Sequence, residues 1–483
     1  MYGEEQIQFL KNKNYLTEGE SLEDRINDFH KTVKKYEAKY SDGLADRIKD
    51  LIEKQILSPS TPQWSNFGRE MRGNTTPLPV SCNIINYPNS ISGIYYSHGE
   101  AAMLSKLGAG VGANFDNLCE KGTKIDEGFY TNPKLDWIED FVGTTQKVSQ
   151  GSQRRGYGVP FISIEDREFY DIMDRVSKEN SNKHDTLVDN NIGILLPKGF
   201  RDKVRNGDKE AQKRFLTVLQ ERKDTGKIYL VDEDNLNKNQ SEVYSKLGHV
   251  VNSTNICVEA CTPSYDDKTF ACVLTSLNLK HWNIIKKNPQ IIKDAVMFLD
   301  IVVEEYIRLT EGIPFLDKVR KSSIEKRDIG LGTLGFHELL QMNNMAFGDL
   351  RSRALNKEIY KTIRKYADEA SEEMANKLGA PLMCREAGIN KRNVSLMMCA
   401  PNKSCATPDT KFISEDDSII DYYDFCKKGG IDIDEMMSVT LHLENGEVVK
   451  LKHDSKVVVI RDGVEITKDA KFLVEGDDIL SYE

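Results

Sequence analysis

Five residues near the middle of the chain carry the spacing richest in chemistry. In Asn255-Ile-Cys257-Val-Glu259 an amide, a thiol and a carboxyl group recur at every second position, with apolar residues between them. In an extended strand or a finger loop, that period aims all three groups at one side. A thiol beside a general base and a hydrogen-bonding amide is equipped for covalent or proton-transfer work. The same run also fits a strand with one solvated face and a buried cysteine, so the pattern alone leaves both open. Cysteines stand at 82, 119, 257, 261, 272, 384, 399, 405 and 426. Their odd number, the length of 483 residues and the lack of a CxxC pair argue against a disulfide scaffold, a zinc ribbon or a thioredoxin-type site. Thiols of a cytoplasmic protein fit better, and no metal-ligand set is predicted.

The elements that must position these groups are legible in outline. Leu22, Ile26, Phe29, Val33, Tyr36 and Tyr40 form a helical stripe behind a Ser21/Asp24 capping signal, and Leu44, Ile48, Leu51, Ile52 and Ile56 form a second. Residues 1–57 are therefore predicted to be helical, and 58–82, rich in Pro, Thr, Ser and Asn, largely loop. Residues 291–309 predict a buried helix, and 354–378 a long one closed by Gly379. Short apolar runs such as Ile192–Leu196 lie between them, so mixed α/β is predicted to residue 404. From Ser438 the pattern turns to strands, with hairpin signals at Asn445-Gly446 and Asp462-Gly463. A boundary is expected near residue 405. Gly330-Leu-Gly332-Thr-Leu-Gly335 matches GxGxxG, but the charged stretch before it, Lys318 to Asp328, cannot be the buried strand of a dinucleotide fold. Close helix packing is the expected use of those glycines, and close backbone approach that of Gly108, Gly110 and Gly112. A net charge of −10 disfavours a nucleic-acid groove, no apolar run approaches the roughly 20 residues of a membrane span, and the acidic MYGEEQIQFL start is unlike a secretion signal.

Seven segments, in order, resemble the ribonucleotide reductase large (catalytic) subunit, class I-like. They are Ser60-Thr61-Pro62 with Val80-Ser81-Cys82; Leu107 to Asn114; Arg154-Arg155-Gly156; Asn255-x-Cys257-x-Glu259; Phe270 to Leu279; Arg327 to Gly332; and Ala400-Pro401-Asn402-Lys403-Ser404. The resemblance implies that residues 58–404 form most of a ten-stranded α/β barrel, incomplete in this chain, behind the helices of 1–57. It implies a thiyl radical at Cys257, a base at Glu259, a hydroxyl-holding amide at Asn255, and a redox pair at Cys82 and Cys272. Thr61, Ser81, Asn402 and Ser404 would hold the diphosphate of a ribonucleoside diphosphate. Asn89, Arg154 and Arg155 would fall at the effector and specificity loop, where Asn89 and Cys119 replace the family's common Asp and Arg. An ATP-binding cone before residue 58 is expected to be missing. No cofactor bound directly is implied. A metal-containing small subunit would supply the radical and thioredoxin or glutaredoxin the electrons, in a homodimer.

Residues 405–483 resemble the N-terminal half of a split intein, a small β-rich, Hint-like fragment. Cys405-Ala-Thr-Pro-Asp-Thr would open the element, with Cys405 as nucleophile, His453 as the activating histidine, and Ala470 to Ile479 similar to its second motif. The resemblance implies trans-splicing with a second polypeptide that carries the complementary intein and the rest of the catalytic subunit. Two rivals stand beside it: an adenosylcobalamin-dependent reductase, because Asn-x-Cys-x-Glu does not separate the classes, and an inactive nucleotide-binding fragment joined to a β interaction module.

Overall fold

The capping signal at Ser21 forms as its residue types dictate. In a computed structural model of the chain, Ser21 Oγ accepts the Asp24 N–H (3.0 Å), while Asp24 Oδ2 accepts the Ser21 N–H (3.1 Å). That closes both ends of the first turn of helix Leu22–Tyr40. The structure describes all residues except 1, 70–77, 81, 127–128, 149–155, 178–186, 188–189, 402–411, 414–418, 421–437, 443–447, 453–455, 462–463, 470–477 and 483. They fall into two compact units, Met1–Asn402 and Lys403–Glu483.

In the first unit, helices Leu22–Tyr40 and Leu44–Glu53 precede strand β1 (Leu57–Pro59). The stretch expected to be loop contains instead a short helix, Thr61–Asn66. Gln63 supplies one half of a capping box, with Ser60 N–H donating to Gln63 Oε1 (3.0 Å), and Pro62 lies in the first turn. The Pro/Ser/Thr-rich composition hid a helix start that the Ser-x-x-Gln spacing carries. There follow β2 (Cys82–Asn86), β3 (Gly110–Asn114), a small hairpin of β4 (Lys124–Asp126) and β5 (Phe129–Tyr130), β6 (Gly158–Ser163), β7 (Ile192–Leu196), β8 (Ile228–Asp232), β9 (Ser253–Thr254), β10 (Cys261–Thr262), β11 (Phe270–Cys272), β12 (Leu274–Asn278) and β13 (Gly330–Leu334).

Strands β2, β3, β6, β7 and β8 run parallel, joined by helical crossovers, and β11 adds antiparallel to β2, giving the order β11-β2-β3-β6-β7-β8. A sheet covered on both faces needs continuous apolar strands rather than alternating ones, and β7 (Ile-Gly-Ile-Leu-Leu) is buried throughout. After one residue, Val273, the chain passes from β11 to β12 and enters a second sheet, β1-β12-β13. Helix Gln290–Leu309 lies in the core, buried on nearly every side.

Two expectations change. Among the described residues there is no closed ten-stranded barrel: the first unit has a six-stranded sheet, a three-stranded sheet and the two-stranded ladders β4-β5 and β9-β10. Among the described residues of the first unit no regular strand follows β13: Ile329 N–H donates to the Ser395 carbonyl (3.0 Å) and Leu331 N–H to that of Leu396 (2.9 Å), and this irregular extended run ends the sheet. The glycines at 330 and 332 serve that run rather than a helix. A Cβ on Gly332 would stand 2.6 Å from the Met398 carbonyl oxygen.

The second unit is strand-rich in its described parts. β14 (Phe412–Ile413) pairs with β15 (Ile419–Ile420), β16 (Ser438–His442) with β17 (Val448–Lys452), and β18 (Lys456–Arg461) with both β19 (Val464–Asp469) and β20 (Asp478–Tyr482), all antiparallel. The pairing of Arg461 with Val464, at the facing ends of β18 and β19, agrees with the hairpin signal between them.

Candidate active site

The Asn255–Glu259 run is not an extended strand. Strands β9 and β10 form a two-residue ladder, and the chain between them closes into a tight finger loop. Asn255 N–H donates to the Ala260 carbonyl (3.2 Å), and Ala260 N–H returns to Asn255 Oδ1 (3.1 Å). Thr254 Oγ1 also donates to the Ala260 carbonyl (2.9 Å). Val258 sits at φ +65° as its N–H reaches the Asn255 carbonyl (3.1 Å). A branched residue rarely adopts this left-handed conformation, so the loop is held there by its hydrogen bonds and seat. Cys257 occupies the exposed apex.

The seat is the glycine strand. Residues paired across a ladder, and residues two apart on one strand, project to the same face. Cys272 pairs with Cys82, and Cys82 with Gly110, so the three form one row. A Cβ on Gly110 would lie 2.3 Å from Ile256 Cδ1, and one on Gly112 would lie 2.5 Å from the Thr254 carbonyl oxygen. The missing side chains of β3 are therefore the room in which the finger loop lies. It lies on the same face as the two cysteines, although residues 82, 257 and 272 are far apart in sequence. Side-chain packing agrees. Cys82, Ile84, Ala260, Phe270, Cys272, Leu274 and Met398 form one buried cluster, with Ile256 and Ala400 packed on it. Directly opposed antiparallel residues have Cα atoms about 4.5–5.5 Å apart, inside the roughly 4.4–6.8 Å window of a disulfide.

Burial raises the Glu259 carboxyl above its usual range, and the Asn255 side chain opposes that rise. Glu259 Oε2 and Asn255 Nδ2 are both buried, and the amide stands near enough to restrain the carboxyl, so one loop presents an acceptor and a donor that a polar ligand could engage. Glu259 also lines a cavity of about 250 Å³ with Cys261, Gln240, Tyr244, Arg364 and Met398. Sequence reasoning missed two aromatic neighbours. Tyr157 and Tyr229 pack with Ile256 and Val258 against Val159, Phe161, Leu195 and Val231 on the sheet. Burial first, then the charge of Cys257 among smaller influences, raises both phenols. Nothing in their local sequence marks them, because only the sheet register brings them to the loop.

The other candidate residues are dispersed. Thr61 is exposed, two residues beyond Pro59, which pairs with Thr275 just past Cys272. Asn89 lies beyond the far end of β2 from Cys82, outside the row of Cys82 and Cys272. It rims a cavity of about 440 Å³ that Leu118, Cys119, Tyr130 and Trp137 also line. Its side chain is occupied there: Nδ2 donates to Cys119 Sγ (2.8 Å), and Oδ1 accepts the Cys119 N–H (3.0 Å). Ser81, Arg154, Arg155, Asn402, Ser404, Cys405 and His453 lie outside the described residues. No helix among the described residues is long and apolar enough to cross a membrane.

Comparison with known proteins points the same way. The family model described as "Ribonucleotide reductase, barrel domain" matches residues 80–214 and 209–388. The chain is similar to the ribonucleoside-diphosphate reductase large subunit of Invertebrate iridescent virus 3, 23% identical over 432 residues that cover 74% of this chain and 65% of the relative. It is similar to the ribonucleoside-diphosphate reductase subunit alpha of Bacillus subtilis (strain 168), 24% identical over 423 residues that cover 74% of this chain and 58% of that one. It thus spans under two thirds of the length of either. Among solved structures, the Actinobacillus ureae class Id ribonucleotide reductase alpha subunit superposes with a TM-score of 0.75 at 28% identity, over 83% of this chain and 72% of that one. The parallel sheet, its glycine strand and the seated finger loop all fall within the matched residues, and the chain belongs to the ribonucleotide reductase large-subunit family.

Proposed function

We propose that this chain supplies the catalytic core of a ribonucleoside-diphosphate reductase. The observation that carries the reading is the row of Cys272, Cys82 and Gly110 with the Cys257 loop seated over it. In this reading a thiyl radical at Cys257 takes the ribose 3′ hydrogen. An S–H bond is weak enough to cycle, and the buried cluster beneath the loop keeps the Cys82–Cys272 pair from water. Glu259 accepts the 3′-hydroxyl proton, for which its burial-raised affinity suits it, and Asn255 holds that hydroxyl. The 2′-hydroxyl leaves as water on a proton from the Cys82–Cys272 pair. The pair gives two electrons and ends as a disulfide, and Cys257 returns the hydrogen to C3′. Nucleoside diphosphate and dithiol thus become deoxynucleoside diphosphate, disulfide and water. Thr61, Ser81, Asn402 and Ser404 hold the diphosphate with hydroxyls and backbone N–H groups. The initiating oxidant is a radical from a metal-containing small subunit, and thioredoxin or glutaredoxin reduces the disulfide.

The tail has a separate role in this reading. Residues 405–483 act as an N-terminal split-intein half. Cys405 attacks the Ser404 carbonyl, which replaces the peptide bond with a thioester, while His453 helps protonate the departing nitrogen. A second polypeptide completes both the splicing element and the barrel. A separate strand-rich unit from Lys403 onward supports this division.

The test joins the 483-residue chain to its complement and follows CDP reduction with a small subunit or, in parallel, with adenosylcobalamin. Deoxycytidine diphosphate should form with the small subunit and vanish in Cys257→Ser. Turnover in that variant sinks the radical assignment, and activity with the cobalamin alone reassigns the radical source. Mass spectrometry of the mixture reads the tail. Loss of 405–483 in wild type but not in Cys405→Ala is expected, and an unchanged wild-type mass favours a plain interaction module.

A further inference from the structure

The run from Met397 to Ala400 lies along β13. Gly332 permits the approach: a Cβ there would meet the Met398 carbonyl oxygen at 2.6 Å and the Cys399 Cα at 3.2 Å. Met398 and Ala400 pack on the cluster of Cys82 and Cys272, whereas Cys399 between them is exposed. There Cys399 meets side chains from two other elements. Tyr360, on helix Leu350–Leu378, sets its hydroxyl 2.8 Å from Thr333 Oγ1 of β13 and 3.3 Å from Cys399 Sγ. Thr333 Oγ1 stands 3.9 Å from the same sulfur, which closes a triangle. Burial pushes the Tyr360 phenol up to about 12, so it remains protonated and able to donate at neutral pH.

We infer that Tyr360 is a positioning residue: its hydroxyl, shared between Thr333 and Cys399, holds Met398-Cys399-Ala400 in register on β13 and so fixes where the chain departs towards Asn402 and Ser404. The inference rests on the reading of those two residues as diphosphate holders. Tyr360 itself touches no substrate. Its contribution acts through the run it pins, which also carries Met398 against the thiol cluster.

Calorimetric titration of the full 483-residue chain with CDP, and separately with cytidine, tests this. Tyr360→Phe removes only the bridging hydroxyl. Losing a hydrogen bond of about 1 kcal/mol should raise the CDP dissociation constant roughly five-fold. The cytidine constant should not move, because cytidine lacks the group the loop would hold. Thr333→Val breaks the same triangle from the strand side and should give the same split, which covers failure of either variant to fold. The two changes together should add little to either alone. An unchanged CDP constant in a folded variant, or equal weakening of both ligands, overturns the inference. Wild-type CDP binding no tighter than that of cytidine sinks the diphosphate reading instead. A second readout needs no nucleotide. Alkylation of Cys399 by iodoacetamide, resolved by peptide mass, should run several-fold faster in Tyr360→Phe, and an equal rate overturns the clamp whatever the nucleotide data say.

Discussion

A single methyl group at Gly112 reports on how the finger loop is seated. An alanine Cβ there would lie 2.5 Å from the Thr254 carbonyl oxygen and 3.0 Å from the Asn255 Cα, so backbone rather than a flexible side chain would have to move. Gly112→Ala should therefore lower stability by about 1–3 kcal/mol, the range of overpacked cores, and displace Cys257. Urea unfolding with an unchanged slope and a lower midpoint checks the first effect, and an altered alkylation rate at Cys257 checks the second. Gly122→Ala is not an equivalent control despite open space around it, because its φ of +76° strains any side chain; Gly3, with open space and no such angle, is one. Glu259 carries a second prediction. Burial lifts its carboxyl and Asn255 restrains the lift, so the acid limb of the pH–activity profile should lie above the ordinary glutamate range. Asn255→Leu should move that limb further up; a limb that stays put would remove Glu259 from the proton-accepting role. At this scale the residue types and spacing of the Asn-Cys-Glu run were readable, but its conformation was not. A period of two fits an extended strand or a finger loop alike, and the choice is made by Asn255 Oδ1 and a positive φ at Val258, which no local pattern encodes.

Among the elements, the long helices were the most readable because each carries a continuous apolar stripe. The predicted 354–378 helix runs from Leu350 to Leu378, starting early because Asp349 caps it through the Arg351 N–H (2.8 Å). Helix Thr61–Asn66 and the partners of each strand were not readable, the first because capping competes with a loop-like composition, the second because register is set by packing. Helix Ile91–Lys106, between β2 and β3, shows what burial of a polar side chain does to such an element. Its Glu100 is fully buried, and burial pushes the carboxyl up to about 7 against the opposing influence of the Thr269 hydroxyl and Lys318. Tyr87 and Tyr306, buried in the same core, feel its charge. The protonated acid is favoured in the fold, so Glu100 weakens stability as pH rises from the ordinary glutamate value towards 7, and the full penalty applies above 7. One such shift corresponds to about 3 kcal/mol. Glu100→Gln should leave stability near pH 4 almost unchanged and raise it at pH 8. Denaturation midpoints at the two pH values decide this, and a variant with the wild-type slope would mean that Glu100 ionises freely in the native state.

For the molecule as a whole, the first unit is held together at a buried charge centre that sequence patterns do not announce, since Asp300 sits in the apolar middle of helix Gln290–Leu309, between the stretches Ala295–Leu299 and Ile301–Val303. Its carboxylate accepts Arg327 Nε (2.9 Å) and Nη2 (3.0 Å), Tyr40 Oη (2.7 Å), Asn393 Nδ2 (2.9 Å) and Arg392 Nε (3.3 Å). These partners come from the N-terminal helix Leu22–Tyr40, the turn before β13 and the run that precedes Met398, so one side chain ties the helical region to both the second sheet and the thiol cluster. Burial alone would raise the Asp300 carboxyl, but the two guanidinium groups overcome it and hold it below the usual range. Its stabilising contribution is therefore complete above the ordinary aspartate value and is lost as pH falls through the lower folded value, which places it in the acid-unfolding limb. Removing the charge at neutral pH leaves the buried Arg327 with Glu304 (2.8 Å) as its remaining carboxylate, so the cost should approach but not exceed the roughly 3–5 kcal/mol of a fully broken buried pair. Asp300→Asn should accordingly shift the neutral-pH unfolding midpoint far more than Tyr40→Phe, which deletes one hydrogen bond of about 1.5–3 kcal/mol to a charged group. Because Asn393 joins the centre and leads directly into the 394–400 run, Asp300→Asn should also loosen the approach to Cys82 and Cys272, read as faster alkylation of those thiols below the unfolding transition. A variant that unfolds early yet keeps both thiols protected until then would confine the centre to global stability and break the proposed link between the helical region and the site.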